Sequence, residues 1–347
     1  MLNTQAISSF RDFVSFHRDS VYRQILPYLP ISINKTFSSA VREYVDRKGQ
    51  YRRPSYVLLW ALLYKGDLNE ALLPAAVQQA SEDFMLMHDD WFDSNTLRRG
   101  KPAAHLIYGP EYAVNAGNAL HTITWKMAVD AAAKLGGSRG NRYLNKFYDI
   151  MLGTCAGQHL DMSLTRETRD ITKFTLEDYY RSIYAKTAYY SVYGPMQIGA
   201  IVADAGEDKA RGVKEYGVPA GMAFQIKDDI LDCTSTEKEL GKAIGTDVKD
   251  GVKTIMLWHA VQSASAADLE RLRQIYLMPR AAKTEDDVMF VLSKFGELGS
   301  IKFAEEKARE FVADALKKFE TNEKEIPESG LKDIARESIG GVVARNR

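Results

Sequence analysis

Apolar residues recur at helical spacing along nearly the whole chain, and strict apolar/polar alternation is scarce. Val57-Leu58-Leu59-Trp60-Ala61-Leu62-Leu63 is apolar on every face, which predicts a central, buried helix. Pro54 stands just before it, a position suited to a helix start. Asn69-Glu70-Ala71 opens the next segment, which runs through Gln78 and Glu82 to Asp93 as one long helix with Leu, Ala and Val on its apolar side. Punctuation falls at Arg99-Gly100-Lys101-Pro102, at Gly136-Gly137-Ser138-Arg139-Gly140 and at Gly217-Val218-Pro219. Helix-length segments follow at 111–135, 141–161, 176–205 and 209–232, the third with a kink expected at Pro195. There is no long Ser/Gly/Pro linker, no low-complexity tract and no repeat of solenoid length. The pattern therefore predicts an all-α chain folded as one domain over residues 1–347.

Composition narrows the class. Apolar residues make up 45% and charged residues 27% of 347, ordinary for a packed globular protein with a sizeable core. Lys+Arg and Asp+Glu are both 46. A zero net charge argues against a nucleic-acid partner, although it leaves room for local patches. Two distant cysteines, Cys155 and Cys233, cannot form a disulfide framework, so a reducing compartment and two buried apolar thiols are expected. Met1-Leu2-Asn3-Thr4-Gln5 is followed soon by Arg11 and Asp12, with no apolar core of a signal peptide. The longest strongly apolar stretch, Tyr56 to Tyr64, falls short of the ~20 residues that span a bilayer. The expected location is the cytoplasm, with no integral membrane segment.

Chemistry enters with Asp89-Asp90-Trp91-Phe92-Asp93. On a helix, Asp89 and Asp93 project one above the other from one face, where like charges repel. A solvated acidic face is one reading; a bound divalent cation is the other, since Mg²⁺ takes carboxylates together with substrate phosphates. Gln225-Ile226-Lys227-Asp228-Asp229-Ile230-Leu231-Asp232 repeats the spacing within an apolar helix. Two copies predict two carboxylate walls facing one cavity, where several Mg²⁺ ions grip a diphosphate. Cations stand near both clusters: Arg98 and Arg99 after the first, Lys186 on another predicted helix, and Gly241-Lys242 and Gly251-Val252-Lys253-Thr254 after the second. Arginine suits phosphate because its planar fork makes paired hydrogen bonds.

These residues resemble the trans-isoprenyl diphosphate synthases, the farnesyl and geranylgeranyl diphosphate synthase group of polyprenyl synthetases. The likeness covers about residues 45 to 255. Its motifs read Asp89-Asp90-x-x-Asp93-x-x-x-x-Arg98-Arg99-Gly100-Lys101-Pro102, Gly157-Gln158-x-x-Asp161, Lys186-Thr187, Phe224-Gln225-x-x-Asp228-Asp229-x-x-Asp232 and Gly241-Lys242. The resemblance implies a bundle of long helices around a deep cavity, and a homodimer acting on isoprenoid diphosphates. It implies up to three Mg²⁺ ions on Asp89, Asp90, Asp93, Asp228, Asp229 and Asp232. Arg98, Lys186, Lys242 and Lys253 would bind the allylic diphosphate. Lys48, Gln50, Arg53, Glu82 and Arg99 would serve isopentenyl diphosphate. Thr187, Tyr190 and Gln225 would stabilise the allylic cation. Phe84 and Met85 lie about 6–8 Å before the first cluster along its helix, and would form the floor that sets product length. One aromatic at the farther position implies a C20 product, geranylgeranyl diphosphate, with C15 as the alternative.

Two positions depart from the family pattern. Gln50 stands in Gly49-Gln50-Tyr51-Arg52-Arg53-Pro54 where the family carries lysine, and Glu82 stands where it carries His or Gln. Both belong to the acceptor site, so a prenyltransferase with a different acceptor is a second reading. A class I terpene cyclase shares the first cluster but usually pairs it with an Asn/Ser/Glu triad, which Asp228-Asp229-x-x-Asp232 does not match. A non-catalytic partner subunit fits poorly with two complete clusters.

Overall fold

The computed structural model describes residues 7–29, 34–168, 170–235 and 244–344. They are almost wholly helical, with one two-stranded hairpin. The chain divides into two compact units, Met1–Asp149 with Ser191–Glu215 and Phe319–Ser338, and Ile150–Tyr190 with Tyr216–Lys318 and Ile339–Arg347.

The first unit begins with α1 (Phe10–Ile25), capped by the Ser9 hydroxyl, and α2 (Lys35–Arg47), capped by Asn34. The stretch expected to be buried is α3 (Arg52–Leu63), which has every residue from Pro54 to Ala61 inside. The long helix that follows is α4 (Leu68–Phe92), opened by the Asp67 cap. Next come β1 (Leu97–Arg98), β2 (Lys101–Pro102), α5 (Ala104–Tyr108) and α6 (Pro110–Leu135). Helix α4 packs on α6, α3 and α1, which explains its burial on nearly all sides. Helix α3 also packs on α9 (Gly194–Val202). The two backbones come close at Gly199, where an added Cβ would lie 2.5 Å from the Val57 carbonyl oxygen.

Helix α7 (Gly137–Arg166) starts at the predicted Gly136-Gly137 break, where both glycines take positive φ. In the second unit α8 (Leu176–Ile183) leads into a π-helical stretch, Tyr184–Tyr193. The predicted segment 176–205 is thus three pieces. Its departure from α geometry comes before Pro195, which stands in the first turn of α9. The break predicted at Gly217-Val218-Pro219 is absent: α10 (Glu207–Thr234) runs through it. Pro219 removes one backbone donor, but the buried residues around it, Tyr216 and Ala220 among them, hold the helix by packing. Beyond it lie α11 (Thr246–Asp250), α12 (Ile255–Ser263), α13 (Ala266–Leu277), α14 (Glu285–Glu297), α15 (Ser300–Asn322) and α16 (Gly330–Gly340). The core of this unit gathers Tyr179, Ile226, Ile230, Leu257, Ile275 and Phe295. The two thiols are not the buried pair expected, since Cys155 is exposed and Cys233 half-buried, both free. Among the described residues no helix is long and apolar enough to cross a membrane.

Gly199→Ala should destabilise the protein by about 1–3 kcal/mol, because the new methyl meets backbone that cannot yield. The check is a lowered thermal midpoint by circular dichroism. An unchanged midpoint would show that α9 can shift away from α3.

Candidate active site

The first acidic cluster ends α4, and its three acids take different places. Asp89 and Asp93 are partly exposed. Asp93 caps the helix, its N–H donating to the Asp89 carbonyl at 2.8 Å. Asp90 is fully buried with both carboxylate oxygens bonded. Arg98 Nε lies 3.0 Å from each oxygen, Arg98 Nη2 makes a further contact, the Tyr44 hydroxyl donates at 2.5 Å and Asn95 Nδ2 at 3.2 Å. Burial and the Asp90 carboxylate push the Tyr44 hydroxyl up, so it stays a donor.

The punctuation at 99–102 is the turn of the hairpin. Arg99 and Gly100 both have positive φ, 54° and 74°, as a two-residue hairpin loop requires. Arg47 pins the hairpin by donating to the Arg98 and Pro102 carbonyls, both at 2.8 Å. Arg99 turns inward instead, to the Tyr44 carbonyl at 2.5 Å and Asp83 at 2.7 Å.

The predicted acceptor residues separate. Arg53 Nη1 pairs with Glu82 Oε1 at 3.1 Å, and Arg99 Nη2 stands 3.8 Å from the same oxygen. Asp83 sits beside them, fully buried, its carboxyl raised to about 6 by burial against the pull of Arg99. Lys48 lies elsewhere, paired with Asp19 at 2.7 Å over the Tyr22 ring. Gln50 is exposed and accepts from Arg52 at 3.2 Å. Of the floor residues, Phe84 is buried and its ring centroid lies 4.8 Å from that of His121, whose Nε2 accepts from Trp125 Nε1 at 2.9 Å. Met85 is partly exposed.

The second cluster, on α10, repeats the division. Asp228 is partly exposed. Asp229 is buried, accepting the Tyr179 hydroxyl on one oxygen and Gln225 Nε2 on the other, both at 2.7 Å. Burial raises its carboxyl to about 7; the two hydrogen bonds oppose the shift, and Asp228 and Asp232 add to it. Asp232 is buried too, accepting the Thr246 hydroxyl at 2.6 Å and the Asp247 N–H at 3.0 Å, so it fixes the start of α11. The six predicted metal ligands thus divide into three partly exposed acids, Asp89, Asp93 and Asp228, and three buried ones, Asp90, Asp229 and Asp232.

The π-helical stretch supplies the other groups of this unit. Lys186 pairs with Asp161 at 2.6 Å, and the Thr187 hydroxyl donates to the Gln225 carbonyl oxygen at 2.6 Å. Tyr190 is buried on the same stretch. Gly157 is where α7 meets the backbone of Ala185 and Lys186, with no room for a Cβ. Lys253 is buried, its amine lowered to about 8 by burial and then by Lys283, and it reaches the Thr165 carbonyl at 3.4 Å. Lys242 lies outside the described residues.

Sequence reasoning missed Tyr44, Tyr179 and Asp83, and left Asp161 without a role. No short-range signal marks them: the tyrosines sit 46 and 50 residues from their aspartates. Hard oxygen donors suit Mg²⁺. Among the described residues no three acidic, histidine or cysteine side chains close on one point.

Comparison with known proteins identifies the family. The polyprenyl synthetase family model matches residues 34–294. The chain is 32% identical to a short chain isoprenyl diphosphate synthase of Methanothermobacter thermautotrophicus, covering 87% of this chain and 89% of that one. It is 31% identical to a geranylgeranyl diphosphate synthase of Saccharolobus solfataricus, covering 88% and 90%. The solved polyprenyl synthase of Caulobacter crescentus, complexed with calcium and isoprenyl diphosphate, shares the fold with a TM-score of 0.86, at 23% identity over 98% of this chain and 99% of that one. The chain belongs to the polyprenyl synthetase family.

Proposed function

We propose that this chain is a Mg²⁺-dependent enzyme that joins an allylic diphosphate to isopentenyl diphosphate, giving a short-chain all-trans prenyl diphosphate, geranylgeranyl diphosphate. The observation that carries the reading is the division of both clusters. Asp90, Asp229 and Asp232 are buried and hydrogen-bonded, whereas Asp89, Asp93 and Asp228 are partly exposed carboxylates. These three would hold Mg²⁺ with diphosphate oxygens. Bound there, Mg²⁺ supplies positive charge where the diphosphate leaving group becomes more negative. Lys186 and Lys253 of the second unit would add positive charge toward the substrate diphosphate. The allylic C–O bond breaks, and the π electrons of the isopentenyl double bond form the new C–C bond. A proton then leaves the condensed cation for the released diphosphate. The Thr187 hydroxyl and the Gln225 amide, hydrogen-bonded to each other at 2.6 Å, would stabilise the cation through their dipoles. The whole chain would work as one catalytic domain, in a homodimer and in the cytoplasm. Two free thiols fit a reducing compartment.

Asp89→Ala and Asp228→Ala should each lower kcat by several orders of magnitude, with small changes in thermal midpoint. EDTA should abolish turnover. Asp90→Ala should instead cost about 3–5 kcal/mol of stability, because it strands Arg98 beside a buried hydroxyl. Kinetics on purified protein with melting curves check all four. Near-normal turnover in the folded Asp89 or Asp228 variant would overturn the reading.

Phe84 should set product length, since its ring closes against His121 one turn and a half before Asp89. Wild type should release C20, and Phe84→Ser should shift product to C25 or longer by mass spectrometry. An unchanged distribution would show Phe84 to be plain core.

A further inference from the structure

Glu82 and Asp83 are consecutive on α4, both buried, and both meet arginines. Glu82 Oε1 lies 3.1 Å from Arg53 and 3.8 Å from Arg99; Asp83 Oδ1 lies 2.7 Å from Arg99. Two acids thus face two guanidinium groups, with Arg18 nearby over the Tyr51 ring at 5.6 Å. An anion arriving at Arg53 and Arg99 therefore finds Arg53 Nη1 and Arg99 Nη2 already facing carboxylates.

The arrangement is not built for stability. Glu82 Oε2 and Asp83 Oδ2 are buried and accept no hydrogen bond among the described residues, and the buried Tyr51 hydroxyl beside them has no partner either. A buried carboxylate oxygen left without a donor carries a desolvation penalty that its ion pair offsets only in part. Both elements that bring the arginines are also held in less favourable conformations: Tyr51, just before α3, has φ of 56°, and Arg99 has φ of 54°. Gly49 leaves the space that the Arg99 guanidinium fills, since a Cβ there would come within 2.6 Å of it. The pocket is thus shaped around Arg99, yet carboxylates already face that guanidinium from within.

We infer that Glu82 is a built-in competitor for the acceptor's diphosphate: it occupies Arg53 and the edge of Arg99, and the acceptor binds by displacing it. This inference rests on the acceptor reading of Arg53 and Arg99. Glu82 then determines acceptor affinity and leaves the allylic site alone. No lysine offsets it, because Lys48 is tied to Asp19 and position 50 is glutamine.

The test uses the full-length protein with Mg²⁺. Glu82→Gln keeps the shape of the side chain and removes its charge; Glu82→His and Asp83→Asn are second and third variants, with folding checked by circular dichroism. For Glu82→Gln the KM for isopentenyl diphosphate should fall tenfold or more, while the KM for the allylic substrate moves less than twofold. Asp83→Asn should lower the same KM by a smaller factor. Calorimetric titration of isopentenyl diphosphate into wild type and variants reads binding without turnover and should tighten in the same order. Turnover with an unchanged or raised acceptor KM in the folded Glu82 variants would overturn the competitor and make Glu82 a positioning residue for Arg53. Tight binding to wild type, with no gain in any variant, would overturn it too. If isopentenyl diphosphate is neither bound nor turned over by any of the proteins, the acceptor reading falls, and the competitor with it.

Discussion

The burial of Asp90 is the constraint on which the first unit's site depends. A carboxylate without solvent must be paired, since an unpaired buried charge costs far more than its neighbours can return. Asp90 is satisfied by a guanidinium eight residues on and by a tyrosine from another helix. Meeting Arg98 forces the chain to reverse directly after α4, and the tight hairpin follows. Reversal also puts Arg99 at the turn, facing back toward Asp83. Helical spacing turns Asp89 and Asp93 away from Asp90, so burying the middle acid presents the outer two. The second unit uses the same device with different donors, Tyr179 and Gln225 on Asp229. There the outer acids are not alike, because Asp232 is spent on capping α11.

How much of this could be read from sequence follows from the range of each interaction. The helices were legible because periodicity is local, and so were both clusters, because spacing by four on a helix is local. The bonds that give each acid its separate task were not. Tyr44 looks like one more apolar residue on the inner face of α2, beside Val41 and Val45, and nothing nearby announces Asp90. Six acids of two repeated motifs therefore read as six equivalent ligands. Pro219 was read as a break because proline costs a helix one hydrogen bond locally, while the packing that overrides it comes from distant segments. Lys48 was grouped with Arg53 by proximity in sequence, but the left-handed residues Lys48 and Tyr51 send neighbouring side chains to different places.

Buried cations show a further asymmetry between the two units. In the second unit, Lys253 and Lys283 are both lowered to about 8, first by burial, and Lys283 is among the causes acting on Lys253. A carboxylate does not neutralise Lys253 directly, although Asp161 acts on it from beside Lys186. In the first unit every arginine of the site is already matched: Arg98 by Asp90, Arg99 by Asp83, Arg53 by Glu82.

Those three pairs are not equivalent, and the difference lies in hydrogen bonding. Asp90 has donors on both oxygens, and breaking its pair with Arg98 would leave a fully buried carboxylate with only the neutral donors Tyr44 and Asn95 named above. The Arg98–Asp90 pair is therefore fixed, and Arg98 can serve a substrate only with whatever donors remain. Glu82 is held by one oxygen, at 3.1 Å, with the other bare. Moving it from Arg53 gives up one contact and allows its carboxylate to find water. The cluster thus orders its cations by how readily each can be released: Arg53 first, Arg99 next through Asp83, Arg98 last. An anion that binds by exchange must take them in that order, which places the adjustable part of the first unit's site at Glu82, and the rigid part at the aspartate that the metal-binding motif was expected to share.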